Sequence, residues 1–159
     1  MNKIKFKINL TSKQSSYADI SDHVIKVTAD EPEYEKTEIY TEGTLTVSSD
    51  GTYCLCYDES ELTGMEGCST NINFNENSRG FVTLLREGEY KTALIFESGH
   101  RHICVYHTPY MPFEMCIDTK KLENTISVFG GRLYIEYSIE TNGMRCEMTK
   151  LTLECTPIK

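Results

Sequence analysis

Long apolar runs, a basic excess and an apolar leader are all missing from this sequence. No stretch of its 159 residues approaches the roughly 18 apolar residues of a transmembrane helix, so no membrane partner is predicted. The formal net charge is −8, and because an acidic protein repels phosphate backbones, we expect no nucleic-acid partner. The N-terminal segment MNKIKFKINLTSK has no apolar signal region, so we expect a cytoplasmic protein.

Seven cysteines, an odd number, are scattered along the chain. Without a secretion signal they are expected to be reduced thiols. Cys54 and Cys56 share one face of a predicted strand and lie too far apart for an unstrained disulfide. Small wall residues therefore explain this pair better than a redox or metal role does.

Strand-like runs fill the chain from Thr37 to Cys155, and Gly, Asn, Asp and Ser separate them at intervals of about ten residues. Asp50-Gly51, Gly130-Gly131 and Asn142-Gly143 supply the positive φ angles that tight hairpins require. Short turns imply antiparallel neighbours, and closure of the sheet removes costly free edges. The sequence therefore predicts one all-β domain over residues 1–159, an antiparallel up-and-down β-barrel of about eight to ten strands.

The beginning of the chain has one clear strand and one uncertain segment. The run from Ile4 to Leu10 alternates apolar and polar residues, as in a half-buried strand. Residues 13–35 are polar and acidic, and Pro32 excludes a central strand, so a long polar loop or an irregular hairpin is expected. Later strands are expected at 68–75, 79–86, 90–97, 100–107, 113–119, 121–129, 132–141 and 144–155.

Alternation assigns the later side chains to two faces. The predicted inner face has Phe81, Leu85, Leu94, Phe96, Phe113, Met115, Ile117, Leu133, Ile135, Tyr137 and Ile139. An apolar outer face is predicted at Val82, Leu84, Ala93, Ile95, Ile103 and Val105. A sheet that is apolar on both sides must be covered on both, either by residues 13–35 or by a second copy in a homodimer.

A metal site has weak support. His100, His102 and Cys104 alternate along one predicted strand and are ligand types that zinc and copper prefer. A structural zinc site needs four ligands, and no second ligand cluster lies nearby in the sequence. Ordinary strand histidines and a buried thiol explain the pattern more simply.

No catalytic arrangement stands out either. Glu59, Glu61 and Glu66 are interpreted as a solvated acidic loop rather than paired catalytic carboxylates. Gly130-Gly131 lies between strands, so no glycine loop opens a helix to hold phosphate, and we expect no cofactor.

The densest polar and aromatic segment is residues 99–115, around Pro109 and Pro112. A barrel mouth with a few placed polar groups is a common ligand site. A rigid corner would instead use its tyrosine hydroxyls to satisfy backbone groups, and this simpler interpretation stays open. The segment contributes Tyr106, Tyr110, Phe113 and His102.

Several motifs resemble the YwiB-like family of small bacterial β-barrel proteins. They are Tyr57-Asp-Glu-Ser-Glu-Leu-Thr-Gly-Met-Glu-Gly67, Gly99-His-Arg-His102, Tyr106-His-Thr-Pro-Tyr110 and Phe113-Glu-Met115. The resemblance runs in order over most of the chain, and it departs at Met111-Pro112, where a glycine is expected. It implies a calycin-like (lipocalin-like) barrel and a cytoplasmic location, and it implies no catalytic residues.

We therefore predict a non-catalytic cytoplasmic barrel that binds a small, partly apolar ligand at one barrel mouth. The predicted ligand-binding residues are Tyr57, Glu66, His102, Tyr106, Tyr110 and Phe113. The alternative is a homo-oligomeric assembly module that uses the apolar outer face. A metal-dependent enzyme built on the histidine and cysteine strand ranks third.

Overall fold

Ten antiparallel strands form a closed barrel in the computed structural model, which describes residues 2–16, 35–59, 67–88, 91–107, 110–141 and 144–158. The strands are β1 (Asn2–Ser16), β2 (Glu35–Val47), β3 (Thr52–Asp58), β4 (Ser69–Asn75), β5 (Ser78–Glu87), β6 (Lys91–Glu97), β7 (Arg101–His107), β8 (Pro112–Asn124), β9 (Gly131–Thr141) and β10 (Met144–Pro157). Consecutive strands pair, and β1 closes the ring by pairing with β10. The predicted up-and-down barrel is confirmed.

Two predicted boundaries were wrong. Residues 13–16 belong to β1 and pair with β10, so the polar segment predicted at 13–35 begins later than expected. Residues 17–34 of that segment lie outside the described residues. The strands predicted at 113–119 and 121–129 are joined in one strand, β8, which ends at Asn124, so residues 125–129 belong to the β8–β9 connection instead. The register of β8 against β9 shifts between Thr119 and Lys121. A bulge at that point lets the strand bend and continue, which alternation alone does not reveal.

One end of the barrel is filled by side chains, and we call it the closed end. It holds the connections β2–β3, β4–β5, β6–β7 and β8–β9. The Arg79 guanidinium donates from Nη1 to the carbonyl oxygen of the fully buried Ile126 over 2.7 Å. The same guanidinium lies 5.5 Å and 5.4 Å from the ring centroids of Tyr53 and Phe74, which stack on each other. Cation–π contacts and a charged hydrogen bond thus fix this end.

The β8–β9 connection depends on glycine. Gly131 has a φ of +146°, and a Cβ added there would lie 2.3 Å from the carbonyl oxygen of Thr125. Gly130, at φ +105°, would bring a Cβ within 2.7 Å of the Cys155 carbonyl oxygen. Only glycine fits both the backbone angle and the space, so the predicted Gly-Gly turn has a steric cause.

Apolar side chains fill the half of the barrel that adjoins the closed end. They come from seven of the ten strands, and each is almost or fully inaccessible to solvent: Phe6, Ile8, Leu45, Leu55, Ile72, Ile117, Leu133, Ile135 and Leu153. Each contributes roughly 1.5–3 kcal/mol by leaving water.

The described chain contains no helix with the length and apolar character to cross a membrane.

The two predicted faces of β5 were exchanged. Phe81 and Leu85, predicted inside, are 39% and 37% exposed, whereas Val82 and Leu84, predicted outside, are buried. Both alternating sets on β5 are apolar, so alternation cannot choose between them. Pairing with β6 decides the matter, because residues directly opposite each other share a face. Val82 lies opposite Phe96, and Leu84 lies opposite Leu94.

The other assignments of side chains to the two faces are mostly confirmed. Leu94, Phe96, Ile117, Leu133, Ile135 and Tyr137 are buried, while Met115 and Ile139 are partly buried against the core. Ala93, Ile103 and Val105 are exposed, and Ile95 is half-buried. The side chain of Phe113 lies outside the described part of the structure.

Candidate ligand site in the barrel

The end opposite the closed end contains a cavity of about 480 Å³, which we call the barrel cavity. Its lining comes from eight strands, so it lies inside the ring rather than on its surface. The volume falls within the range of about 300–1,000 Å³ that is typical of small-molecule sites. Its apolar wall includes Leu10, Ile39, Leu84, Leu94, Ile139 and Leu151.

A buried ion pair interrupts this apolar wall. The Glu59 carboxylate is almost inaccessible to solvent, and Nε of Arg86 lies 3.4 Å from its Oε1 atom. The hydroxyl of Thr70 donates a hydrogen bond to the same Oε1 atom. Thr70 lies directly opposite both Arg86 on β5 and Tyr57 on β3, so the strand register brings these groups together.

Tyr57 is held neutral beside this pair. Burial is the largest cause that raises the pKa of its phenol far above the ordinary value, and the negative charge of Glu59 adds to it. Arg86 and a hydrogen bond with Thr70 act in the opposite direction and are weaker. A neutral phenol in an apolar cavity can serve as either hydrogen-bond donor or acceptor.

A second tyrosine, threonine and glutamate repeat the arrangement across the barrel. Tyr137 on β9 lies opposite Thr149 on β10, and the Thr149 hydroxyl donates to Oε1 of Glu147 over 3.1 Å. Burial raises the pKa of Tyr137 to about 12, although its hydrogen bond with Thr149 opposes that rise. Its ring packs against Phe96 with the centroids 4.8 Å apart. Tyr137 and Glu147 line the barrel cavity with Tyr57 and Glu59.

One cross-strand row links the polar groups of this end. Each member lies directly opposite the next, from β3 to β8: Tyr57, Thr70, Arg86, Thr92, Tyr106 and Phe113. Thr92 is 5% exposed, and its hydroxyl has no hydrogen-bond partner in the described chain. The Arg86 Nε–H likewise makes no aligned hydrogen bond there, despite its closeness to Glu59. Buried polar groups normally have partners, so these two require an explanation.

Three of the predicted ligand-binding residues share this row. Tyr57 lines the barrel cavity with its side chain. The structure describes only the backbone of Tyr106 and Phe113, which places both at register positions in the same row. Strand register therefore gathers Tyr57, Tyr106 and Phe113 at one level of the barrel wall.

His102 and Tyr110, also predicted to bind ligand, lie elsewhere. His102 lies opposite Ile117, with its Nε2 atom 3.0 Å from Oε1 of Glu97 and its ring edge-to-face with Phe81. Tyr110, in the β7–β8 connection, is almost fully exposed. Glu66 lies outside the described residues.

The sequence interpretation missed Glu59, Arg86, Thr92 and Glu147 as lining residues. Glu59 was assigned to a solvated loop but is buried beside Arg86, which makes that interpretation wrong for this residue. Alternation places Arg86 on the same face of β5 as Val82 and Leu84, but both faces of β5 are apolar, so the sequence does not show which face is the inner one. Pairing of β5 with β6 assigns this face to the interior.

Metal and surface sites are less well supported by the described side chains. Among them, no group of three or more His, Cys, Asp or Glu is arranged to hold a metal ion. An open groove of about 720 Å³ runs over the outside of the barrel near Phe81, Glu97 and His100. It is larger than the barrel cavity, but it is an open surface depression, and the His100 side chain in it is mostly exposed to solvent.

Comparisons with known proteins place the chain among relatives without a described activity. A family model described as a domain of unknown function (DUF1934) matches residues 22–153. The chain is also similar to a solved structure, the crystal structure of ywiB protein from Bacillus subtilis, with a TM-score of 0.71 and 20% sequence identity. That match covers 96% of this chain and 92% of the other, and it shows the fold alone. No curated protein matches the chain.

Proposed function

Because the chain belongs to the DUF1934 family, whose description assigns no activity, we propose its function from geometry: it binds a small, partly apolar ligand inside the barrel cavity. The resemblance to the YwiB-like family is confirmed by the family match and the shared fold. The observation that carries the proposal is the barrel cavity itself. Its apolar wall surrounds a compact polar group that includes the buried Thr92 hydroxyl, which has no hydrogen-bond partner among the described residues.

Tight ligand binding requires both the apolar wall and the polar groups of the cavity. A ligand that buries about 200 Å² of apolar surface gains about 5 kcal/mol at 25 cal/mol per Å². Association costs about 4 kcal/mol or more in lost freedom, so apolar contact alone gives weak binding. Micromolar affinity needs about 8 kcal/mol net, and polar contacts to Arg86, Thr92 and the tyrosines would supply the difference.

The test fills the cavity with a larger side chain. The protein contains no tryptophan, so Leu94→Trp introduces one indole into the cavity wall, and Ile103→Trp introduces one on the outer surface as a matched control. We expect wild type and Ile103→Trp to bind one equivalent of the neutral dye Nile red with the same affinity. We expect Leu94→Trp to bind it at least tenfold more weakly, because the indole occupies ligand volume.

Two results would contradict the proposal. One is equal dye affinity for Leu94→Trp and Ile103→Trp, and the other is a wild-type protein that takes up no dye. Circular dichroism spectra and thermal unfolding of all three proteins check that the barrel is intact, so that lost binding is not lost folding.

A homo-oligomer remains the second candidate function. Three adjacent strands, β5, β6 and β7, carry an apolar surface that we call the outer apolar face, and Ile103 in it is 68% exposed. Its members are Phe81, Leu85, Ile95, Ile103 and Val105. A contiguous exposed apolar surface is typical of an interaction site. The outer apolar face differs from the predicted one, because Phe81 and Leu85 replace Val82 and Leu84.

We also propose a cytoplasmic location. Among the described cysteines, Cys54, Cys56, Cys104, Cys116 and Cys155 are free thiols. Unpaired cysteines in this number are typical of proteins in a reducing compartment, which supports the proposal.

A further inference from the structure

The charges that line the barrel cavity are unequal. Among the described lining residues, Arg86 supplies one positive charge, whereas Glu59 and Glu147 supply two negative charges. Glu59 is already paired with Arg86, and Glu147 accepts a hydrogen bond from the uncharged Thr149. A ligand carboxylate would add a third negative charge beside these two in a partly buried cavity, where like charges repel more strongly than they do in water.

Two hydrogen-bond donors in the barrel cavity, the Arg86 Nε–H and the Thr92 hydroxyl, have no hydrogen-bond partner among the described residues. A guanidinium has five N–H donors, and the described ion-pair partner of Arg86 is Glu59. Thr92 lies directly opposite Arg86 on the neighbouring strand, and its buried hydroxyl has no partner in the described chain. Side chains in directly opposite positions begin about 5 Å apart, so one ligand oxygen can reach both donors.

An acceptor lies beside these donors. The carboxylate of Glu59 is 3.4 Å from Nε of Arg86, so donor and acceptor groups occur side by side. Leu84 and Leu94 lie two positions farther along the same two strands, and both line the cavity. A polar head at Arg86 would therefore continue directly into an apolar body against the leucines.

Resting on the proposed function, we propose that the barrel cavity selects uncharged ligands with an amide-type head on an apolar body and discriminates against carboxylates. The ligand carbonyl accepts hydrogen bonds from the Arg86 guanidinium and the Thr92 hydroxyl. The ligand N–H donates to the Glu59 carboxylate. A carboxylate head provides the acceptor but no donor, and it carries the unwanted charge.

The experiment compares three probes that differ only in the head: 4-phenylbutyramide, 4-phenylbutyrate and 4-phenylbutylamine. Titration calorimetry at pH 7.5 on the wild-type protein gives each dissociation constant. We expect the amide to bind at least tenfold more tightly than the carboxylate and more tightly than the amine, which cannot accept from Arg86. Equal or tighter binding of either charged probe would overturn the proposal.

Thr92→Val separates ligand contact from folding. The substitution keeps the shape of the side chain and removes a hydroxyl that has no partner in the described part of the chain, so stability should stay equal or rise. Amide affinity should fall by about fivefold or more, since hydrogen bonds contribute by such factors. Thr119→Val is the matched control, because the Thr119 hydroxyl is also buried and unpartnered among the described residues but does not line the barrel cavity.

The outcomes distinguish this inference from the proposed function. If Thr92→Val and Thr119→Val bind the amide equally well, the assigned head position is wrong. If the carboxylate binds as tightly as the amide and Leu94→Trp abolishes both, the cavity binds ligands but the selectivity proposed here fails. If none of the probes nor Nile red binds, both proposals fail.

Discussion

Tyr57 and Tyr137 show how burial shapes single side chains in this barrel. Both phenols lie within the wall, and burial is the largest cause of their raised pKa values. A raised pKa is also a statement about stability, because the unfolded chain ionises before the folded one does. The stability linked to each neutral phenol is therefore fully present below pH 10 and is lost as the pH rises above it.

Tyr137→Phe tests this linkage. The phenol pKa rises from 10.0 to about 12, so the stability tied to it is fully present below pH 10 and is lost between pH 10 and pH 12. The part of the wild-type loss that comes from Tyr137 should reach about 2 kcal/mol by pH 12, at up to 1.36 kcal/mol per pH unit. We expect a flatter profile for Tyr137→Phe, measured by urea unfolding followed with circular dichroism.

Tyr40→Phe is the control for that profile, because Tyr40 is exposed on β2. Its profile should follow that of wild type over the same range. Parallel profiles for all three proteins would show that the Tyr137 phenol ionises alike in the folded and unfolded chains.

Only some of the residues that line the barrel cavity could be predicted from the sequence. Tyr57 was predicted as a ligand-binding residue and lines the cavity. His102 and Tyr110 were also predicted, but His102 is hydrogen-bonded to Glu97 and Tyr110 is exposed to solvent. Arg86 was missed because the sequence interpretation placed its face of β5, with Val82 and Leu84, on the outside of the barrel. Thr92 was missed because a polar residue on an inward position has two explanations, a ligand contact or an internal partner. Cross-strand register separates the explanations, and register depends on turn geometry that the sequence specifies loosely.

In strand β5, the orientation of every side chain depends on the register of the strand against its neighbour. Apolar residues occupy both of its faces, so hydrophobic alternation fits either orientation equally well. The β5–β6 register sets Arg86 opposite Thr92, and it follows that Val82 and Leu84 face inward with Phe96 and Leu94. Strand β8 adds a bulge near Lys120, where one extra residue reverses the alternation.

The outer apolar face of β5, β6 and β7 carries the oligomer prediction. We expect wild type to sediment as a dimer of 18.2 kDa chains and Ile95→Glu to sediment as a soluble monomer. A carboxylate placed in an apolar interface loses its water without gaining a partner, at a cost of several kcal/mol. Sedimentation velocity measures both species.

Tyr40→Glu introduces the same charge on an exposed position of β2, away from the outer apolar face, and should leave the dimer intact. A monomeric wild-type protein, or an unchanged sedimentation coefficient for Ile95→Glu, would count against the interface.

The complete barrel is divided between a filled half and a hollow half. Fold class followed from the sequence because turn residues and alternation repeat along most of the chain, and errors in one strand do not change the closure of the ring. Whether the interior is filled depends on how the side chains of many strands combine at one level. Phe6, Leu55 and Leu153 fill one half, whereas Glu59 and Arg86 face a cavity in the other.

Ligand location is therefore the property to measure. Methyl-labelled protein, titrated with 4-phenylbutyramide and observed by two-dimensional NMR, reports separately on the cavity, the filled half and the outer surface. We expect saturable shifts at the methyl groups of Leu84, Leu94 and Leu151, with Leu55 and Ile103 unmoved. Shifts confined to Ile103 and the outer apolar face, or no shifts at any methyl group, would contradict ligand binding inside the barrel.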